Sequence, residues 1–75
     1  MKITYDTEAD AIYIQFMEAP FSTNKEVADG VILDIGKDNE VLGIEVLDAS
    51  LRFPPETLAH VDIQMPLHLA GAAGP

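Results

Sequence analysis

The sequence contains no cysteine and no tryptophan, and it has only four basic residues. Without cysteine, neither disulfides nor thiolate metal sites can supplement the core, as they do in many small domains. A chain of 75 residues forms one domain, and a domain of that size buries only about 60–70% of the surface that its unfolded chain exposes. Association with a second subunit is the remaining way to complete the core, so we predict a homodimer.

The shortage of basic residues leaves 13 acidic residues largely unopposed, and the formal net charge is −9. Binding to phosphate backbones depends on Lys and Arg, so the chain by itself is not expected to bind nucleic acid. An acidic surface instead speeds encounter with a basic protein. The simpler alternative is that the charge only maintains solubility.

Long hydrophobic runs are also missing. No stretch approaches the roughly 18 apolar residues of a spanning helix, so no membrane contact is expected. The start, Met1 to Asp6, lacks the charged region and apolar stretch of an export signal. Together with the absence of cysteine, this predicts a cytoplasmic protein.

Alternating apolar residues predict an α+β domain: a four-stranded antiparallel β-meander sheet followed by one short C-terminal helix. The four strands are a short one around Ile3 and Tyr5, then Ala11 to Met17, Gly30 to Ile35, and Val41 to Leu47. The helix is expected to begin near Pro54 and Pro55, because proline suits a first helical turn. The domain is predicted to cover residues 1–62, with residues 63–75 forming a mostly disordered tail.

The connections are less regular. Glu18 to Asn24 is predicted to be a loop because it contains Pro20, and Val27 is the start of a possible edge segment. Residues 36–40 form the turn between the last two strands, with Asn39 suited to a left-handed backbone. A four-residue loop pairs Leu33 with Ile44 and gives a clean apolar face, whereas a left-handed Asn39 in a three-residue loop shifts the pairing by one. The register that pairs Leu33 with Ile44 and gives the clean apolar face is preferred.

A second set of apolar residues falls on the face opposite the main apolar set. One short helix cannot cover two apolar faces, and an exposed apolar strip of that size usually marks a partner surface. The candidate partner surface consists of Tyr13, Ile32, Val41 and Leu47.

One group of acidic residues has the spacing of a metal-binding loop. Asp6, Glu8 and Asp10 resemble the opening of a calcium loop, but the required glycine and bidentate glutamate are replaced by Ala11 and Met17. Solvated turn carboxylates that cap backbone amides explain them better.

The carboxylates at the sheet rim are a second possibility. Asp34, Glu45 and Asp48 could converge there for acid–base work or a divalent ion, although solvated acids are the simpler interpretation. No nucleophile elbow surrounds Ser50, and the chain has no glycine-rich phosphate loop. We therefore assign no catalytic, cofactor-binding or metal-binding residue, and we do not predict an enzyme.

Two segments of the chain resemble the signature stretches of the prokaryotic domain-of-unknown-function family 2283. They are Tyr5-Asp6-Thr7-Glu8-Ala9-Asp10-Ala11-Ile12-Tyr13-Ile14 and Gly43-Ile44-Glu45-Val46-Leu47-Asp48-Ala49-Ser50. The family often has glycine where this chain has Asn39, which tolerates the same backbone. Some members lie beside genes for small ribonuclease-like toxins, so the resemblance implies an antitoxin-like or partner-binding role and brings no catalytic residues. The motif residues of unknown role, which either fix the turns or line a ligand groove, are Tyr5, Asp6, Asp10, Gly43, Glu45, Asp48 and Ser50.

Three functional hypotheses follow. The leading one is a small acidic dimer that binds another protein, including the antitoxin-like partner of a basic toxin-like protein. The second is a small enzyme or divalent-metal site built from the rim carboxylates. The third is a structural accessory subunit whose sheet edge pairs with another chain.

Overall fold

The structure is a computed structural model, and it describes residues 1–66. It contains five β-strands and two single-turn helices. The strands are β1 (Lys2–Asp6), β2 (Ala11–Gln15), β3 (Phe21–Ala28), β4 (Val31–Gly36) and β5 (Val41–Val46), and the helices are α1 (Ala49–Arg52) and α2 (Pro55–Leu58). No helix of this described part is long and apolar enough to cross a membrane.

All five strands form one antiparallel sheet in the order β1-β2-β5-β4-β3. The α+β class and the antiparallel sheet are confirmed. The predicted four-stranded meander with one helix is wrong in detail, because β3, β4 and β5 form a meander that returns to pair with the hairpin of β1 and β2. β5 therefore lies at the centre of the sheet, and a single-turn helix, α1, precedes the predicted one.

The missed strand is β3, which covers most of the segment predicted to be a loop. Its residues Ser22 to Glu26 are polar on both faces, so they give no alternating hydrophobic signal. Every residue of β3 is exposed, and the strand is held at the sheet edge by backbone pairing with β4. Pro20 lies just before the strand, so its missing N–H removes no hydrogen bond from the pairing of β3 with β4.

The register of β4 and β5 combines both predicted alternatives. Near the turn, Asn39 has a φ of 65° and Ile35 pairs with Val41, as a three-residue loop requires. A β-bulge at Leu42 then restores the other register, so Leu33 pairs with Ile44. The Leu42 carbonyl accepts hydrogen bonds from the N–H groups of Phe16 (2.8 Å) and Met17 (3.3 Å) on the neighbouring chain segment.

Strand pairing separates the side chains of the sheet into two chemically distinct faces. We call one the apolar face; its residues are Ile3, Tyr5, Ile12, Ile14, Val31, Leu33, Ile35, Ile44 and Val46. We call the other the acidic face, because every carboxylate within the strands lies on it: Asp6, Glu26, Asp34 and Glu45. Lys25, opposite Leu33, is the one charged residue within the strands that lies on the apolar side.

Little of this sheet is buried. Among the described residues, the buried apolar residues are Ala11, Leu42 and Ala49, and no large side chain is fully enclosed. Ile3 is 42% exposed and Tyr5 44% exposed although both lie on the apolar face. The helices make few contacts with the sheet. Residues 63–66 of the predicted tail belong to no regular element, and residues 67–75, including His68, lie outside the described residues.

Candidate functional site

The carboxylate of Asp10 joins the first hairpin to the segment that follows the sheet. Its Oδ1 accepts the Tyr5 hydroxyl at 2.6 Å, and its Oδ2 accepts the Ser50 hydroxyl at 2.6 Å. The Ser50 N–H also points at both oxygens, at 3.0 and 3.2 Å. The Asp10 backbone carbonyl accepts the Ala49 N–H at 2.9 Å. Three motif residues therefore form one hydrogen-bonded cluster, which we call the Asp10 cluster: Tyr5, Asp10 and Ser50.

The Asp10 cluster replaces an ordinary helix cap. The N-cap residue of α1 is Asp48, whose side chain makes no cap hydrogen bond. The carboxylate of Asp10, distant in sequence, binds a free N–H at the start of α1 instead. Asp10 and Asp48 both have a left-handed backbone, with φ of 52° and 54°, which aspartate tolerates better than most residues.

Asp6 fixes the turn that precedes Asp10. Its Oδ1 accepts the N–H groups of Glu8 (2.9 Å) and Ala9 (3.1 Å), which closes the hairpin loop between β1 and β2. These two bonds are of the kind predicted for the turn carboxylates, namely capping of nearby backbone amides. In this turn the capping carboxylate is that of Asp6.

The electrostatics of the Asp10 cluster favour a structural role over proton transfer. The hydroxyl of Ser50, followed by the hydroxyl of Tyr5, lowers the pKa of Asp10 below its ordinary value. The bond to Asp10 in turn raises the pKa of Tyr5. Near neutral pH the carboxylate stays charged and the phenol stays protonated, so neither group exchanges protons readily.

A second pair of motif-related contacts lies on the acidic face. The Tyr13 hydroxyl donates to Asp34 Oδ2 at 2.8 Å, which raises the pKa of Tyr13. The tyrosine ring reaches Asp34 by lying across Gly43, which pairs with Asp34 on the neighbouring strand. A Cβ added at Gly43 would lie 2.5 Å from the Tyr13 hydroxyl and 2.7 Å from the Ile14 carbonyl. The glycine of the second motif therefore makes room for the tyrosine of the first.

Because the chain has only two tyrosines and no tryptophan, its phenols can be followed by near-ultraviolet absorbance. We expect both Tyr5 and Tyr13 to titrate above the ordinary value of 10.0, because each donates to a carboxylate. Asp10→Asn should return only Tyr5 towards 10.0, and Asp34→Asn only Tyr13. A wild-type titration in which both phenols ionise at the ordinary value would contradict these two bonds.

The rim carboxylates do not form a cluster of three. Asp34 and Glu45 share the acidic face but pair with different residues, Gly43 and Ile32. Asp48 follows the end of β5 in a left-handed turn. Within residues 1–66 no group of three or more His, Asp or Glu side chains is arranged to hold a metal ion.

The structure separates Val41 from Tyr13 and Ile32, the other strand residues of the candidate partner surface. Tyr13 and Ile32 lie half-buried on the acidic face, among carboxylates. The Leu42 bulge places Val41 opposite Ile35, which belongs to the apolar face. Leu47 follows β5 and donates its N–H to the Gly30 carbonyl at 2.8 Å. Most apolar side chains of the strands therefore lie on the main apolar face.

A groove of ≈ 520 Å³ separates part of the apolar face from the C-terminal segment. Ile3, Ile12 and Ile14 line its sheet side, and residues from Phe53 to Asp62 line the other. Only the β1–β2 part of the apolar face takes part in this groove, so the part formed by β4 and β5 lies outside it. The C-terminal segment thus faces the β1–β2 part of the apolar face, and the residues of the β4–β5 part are half-buried.

Sequence reasoning found the residues of the Asp10 cluster but not their pairing. Asp10 and Ser50 are 40 residues apart, and no local pattern links a turn aspartate to a serine that far away. The one available signal was that both residues belong to the family motifs.

Comparison with known proteins agrees with the resemblance carried by these motifs. The family model described as "Protein of unknown function (DUF2283)" matches residues 2–50, so the chain belongs to that family. A protein of Methanosarcina mazei named "Putative hypoxanthine phosphoribosyltransferase" is 42% identical over 52 residues, which are 69% of this chain and 42% of that protein. The chain therefore spans less than half of that relative's length. No solved structure matches.

Proposed function

We propose that this member of the DUF2283 family is a protein-binding module that acts through the two faces of its sheet. The observation that carries the proposal is the separation of the faces: one is apolar and has no second layer of helix packed on it, and the other holds every carboxylate of the strands. Uncovered apolar faces of this size typically mark protein contacts. The proposed place of action is the cytoplasm.

The acidic face determines the sign of the charge that a partner must carry. Its four strand carboxylates add to a formal net charge of −9, so the module attracts basic proteins and repels acidic ones. Around the central strand, Glu45 and Asp34 flank the Tyr13 ring, which combines an aromatic surface with two carboxylates. Such a surface suits Arg and Lys side chains. An antitoxin-like role beside a basic toxin-like protein is the specific form of this proposal.

The β3 edge of the sheet is poorly suited to pairing with another chain. β3 is long and exposed, but its pairing with β4 is interrupted by two register shifts and it carries Lys25. Bulges and lysines are the usual features that keep an edge strand from pairing with another chain. An accessory subunit that pairs with another chain through β3 therefore ranks below the module.

Phosphoribosyl transfer, the activity in the name of the archaeal relative, is not proposed for this chain. Such an enzyme must bind a phosphorylated ribose, and proteins usually bind phosphate with cations and free backbone N–H groups. The chain has four basic residues, and the guanidinium of one of them, Arg52, donates to the backbone carbonyls of Leu47 and Asp29. The N–H groups at the start of α1 are already bound by Asp10.

The proposal is tested with the purified product of the adjacent gene in the same transcription unit. If that product is basic, we expect calorimetric titration to show a complex that weakens as NaCl rises from about 50 to about 300 mM, because screening reduces attraction between charged surfaces. Glu45→Gln should weaken it about 2–5-fold, the effect of one partly exposed charge. Glu56→Gln, on α2 and outside the acidic face, is the matched control and should change little.

Two results would count against the acidic face as the docking surface. One is a complex whose affinity does not change with salt. The other is equal binding by an unrelated basic protein of similar net charge, because that outcome reduces the interaction to non-specific attraction.

A further inference from the structure

We propose that the apolar face binds a second copy of this chain, so that two sheets stack face to face and both acidic faces remain outside. This inference rests on the proposed function and specifies it, because it assigns the apolar face to self-association and leaves the acidic face for the basic partner. It also moves the predicted dimer contact from the surface of Tyr13, Ile32, Val41 and Leu47 to the apolar face itself.

Charge is the first reason that the occupant is a second copy. A chain with a net charge of −9 repels its own copies, so self-association needs a surface from which the acids are absent. Within the strands the apolar face is such a surface, since Asp6, Glu26, Asp34 and Glu45 all lie on the opposite side. Stacking through this face keeps the strand carboxylates of one copy away from those of the other.

Area is the second reason. Four strands form the apolar face, and with strands about 4.8 Å apart, about six residues long and rising about 3.4 Å per residue, it covers about 390 Å² in projection. Interdigitating side chains bury more than this projected area, and an interface of standard size buries about 800 Å² per partner. Val61, Ile63 and Met65 alternate along the chain after α2 and are 61%, 63% and 62% exposed, which adds apolar surface beyond the sheet.

The missing core is the third reason. No large side chain among the described residues is fully enclosed, and the helices do not supply a second layer. Stable sheet domains consist of at least two packed layers. A second sheet about 10 Å away supplies that layer, and Leu33 and Ile44, which pair across β4 and β5 in the interior of the apolar face, become core residues of the dimer.

Sedimentation equilibrium of the wild-type chain over roughly 1–500 µM tests the proposal, since mass action makes a dimer depend on concentration. We expect a dimer. Leu33→Gln should weaken it at least about 100-fold, because each dimer loses two buried leucines. Ile32→Gln, the adjacent residue on the acidic face, is the matched control and should leave the dissociation constant within about 3-fold of the wild-type value.

Circular dichroism separates loss of the dimer from loss of the fold. A folded Leu33→Gln monomer supports the proposal. If that variant unfolds, sedimentation of the wild type still decides whether the chain forms a dimer. A strictly monomeric wild type overturns the proposal, as does a dimer that Ile32→Gln breaks and Leu33→Gln does not. A wild-type monomer that binds the basic protein through Leu33 would assign the apolar face to that partner and also overturn it. The proposed function survives each of these outcomes if Glu45→Gln weakens binding of the basic protein.

Discussion

Gly43→Ala should lower the free energy of unfolding by about 1–3 kcal/mol, the usual cost of inserting a methyl group into a filled site. A Cβ at this position would lie 2.7 Å from the backbone carbonyl oxygen of Ile14 and 2.8 Å from Cζ of Tyr13. The carbonyl belongs to the β2–β5 ladder and cannot move without disturbing the centre of the sheet. For a 75-residue domain, whose total stability is about 4–11 kcal/mol, this is a large fraction.

Thermal and urea unfolding of Gly43→Ala measure the effect, and Gly36→Ala is the matched control. The three atoms nearest to a Cβ at Gly36 all belong to the side chain of Glu40, which can rotate away at the loss of one turn hydrogen bond. We expect that variant to lose less than about 1 kcal/mol. Tyr13→Ala combined with Gly43→Ala should recover only part of the loss, because the contact with the Ile14 carbonyl remains. Equal stability of Gly43→Ala and Gly36→Ala would contradict the packing of Tyr13 over Gly43.

The parts of the fold that the sequence predicted are those with a hydrophobic period. β2, β4 and β5 each carry alternating apolar residues, and their positions follow from that alternation. The start of α2 follows from Pro55, which occupies its first turn. β3 could not be found in this way, because an edge strand that is exposed on every residue is specified by backbone pairing and not by its side chains.

The register of β4 and β5 shows why two correct local signals can conflict. Asn39 specifies the turn, and the apolar residues Leu33 and Ile44 specify the pairing further along. Neither signal indicates that one extra residue, Leu42, is inserted between them as a bulge. The bulge allows both the Asn39 turn and the Leu33–Ile44 pair to form. It also places Val41 opposite Ile35, on the face away from Tyr13. The candidate partner surface depended on that choice.

Only part of the candidate site could be predicted from the sequence, and the reason differs from that for the fold. Asp10, Gly43 and Ser50 were all found as motif residues, but their partners are fixed by strand order, which places β5 beside β2. Only that order brings Ser50 to Asp10 and lays Tyr13 over Gly43. Both contacts join the first motif to the second. The two motifs thus specify one structural unit, the β1–β2 hairpin locked to β5 and α1.

Asp10→Ala should be strongly destabilising because it combines two losses. The Tyr5 hydroxyl, the Ser50 hydroxyl and the Ser50 N–H lose their shared acceptor, and α1 loses the group that caps it. Alanine is also forced into the left-handed backbone, at a φ of 52°. Asp10→Asn keeps the backbone tolerance and one acceptor oxygen, so its melting temperature should fall between those of the wild type and Asp10→Ala. Asp10→Gly removes the side chain without the backbone cost, which separates the two losses.

The difference in free energy of unfolding between wild type and Asp10→Asn should change with pH in a defined direction. The pKa of Asp10 in the folded chain lies below its ordinary value of 3.8, because the Ser50 and Tyr5 hydroxyls favour the carboxylate. Its stabilising effect is therefore complete above pH 3.8 and is lost as the pH falls through the folded pKa. The difference in free energy of unfolding between wild type and Asp10→Asn should be constant near neutral pH and shrink in acid. A difference that stays constant down to the acid unfolding of the chain would mean that the charge of Asp10 does not stabilise the cluster, and only its geometry would remain as the explanation.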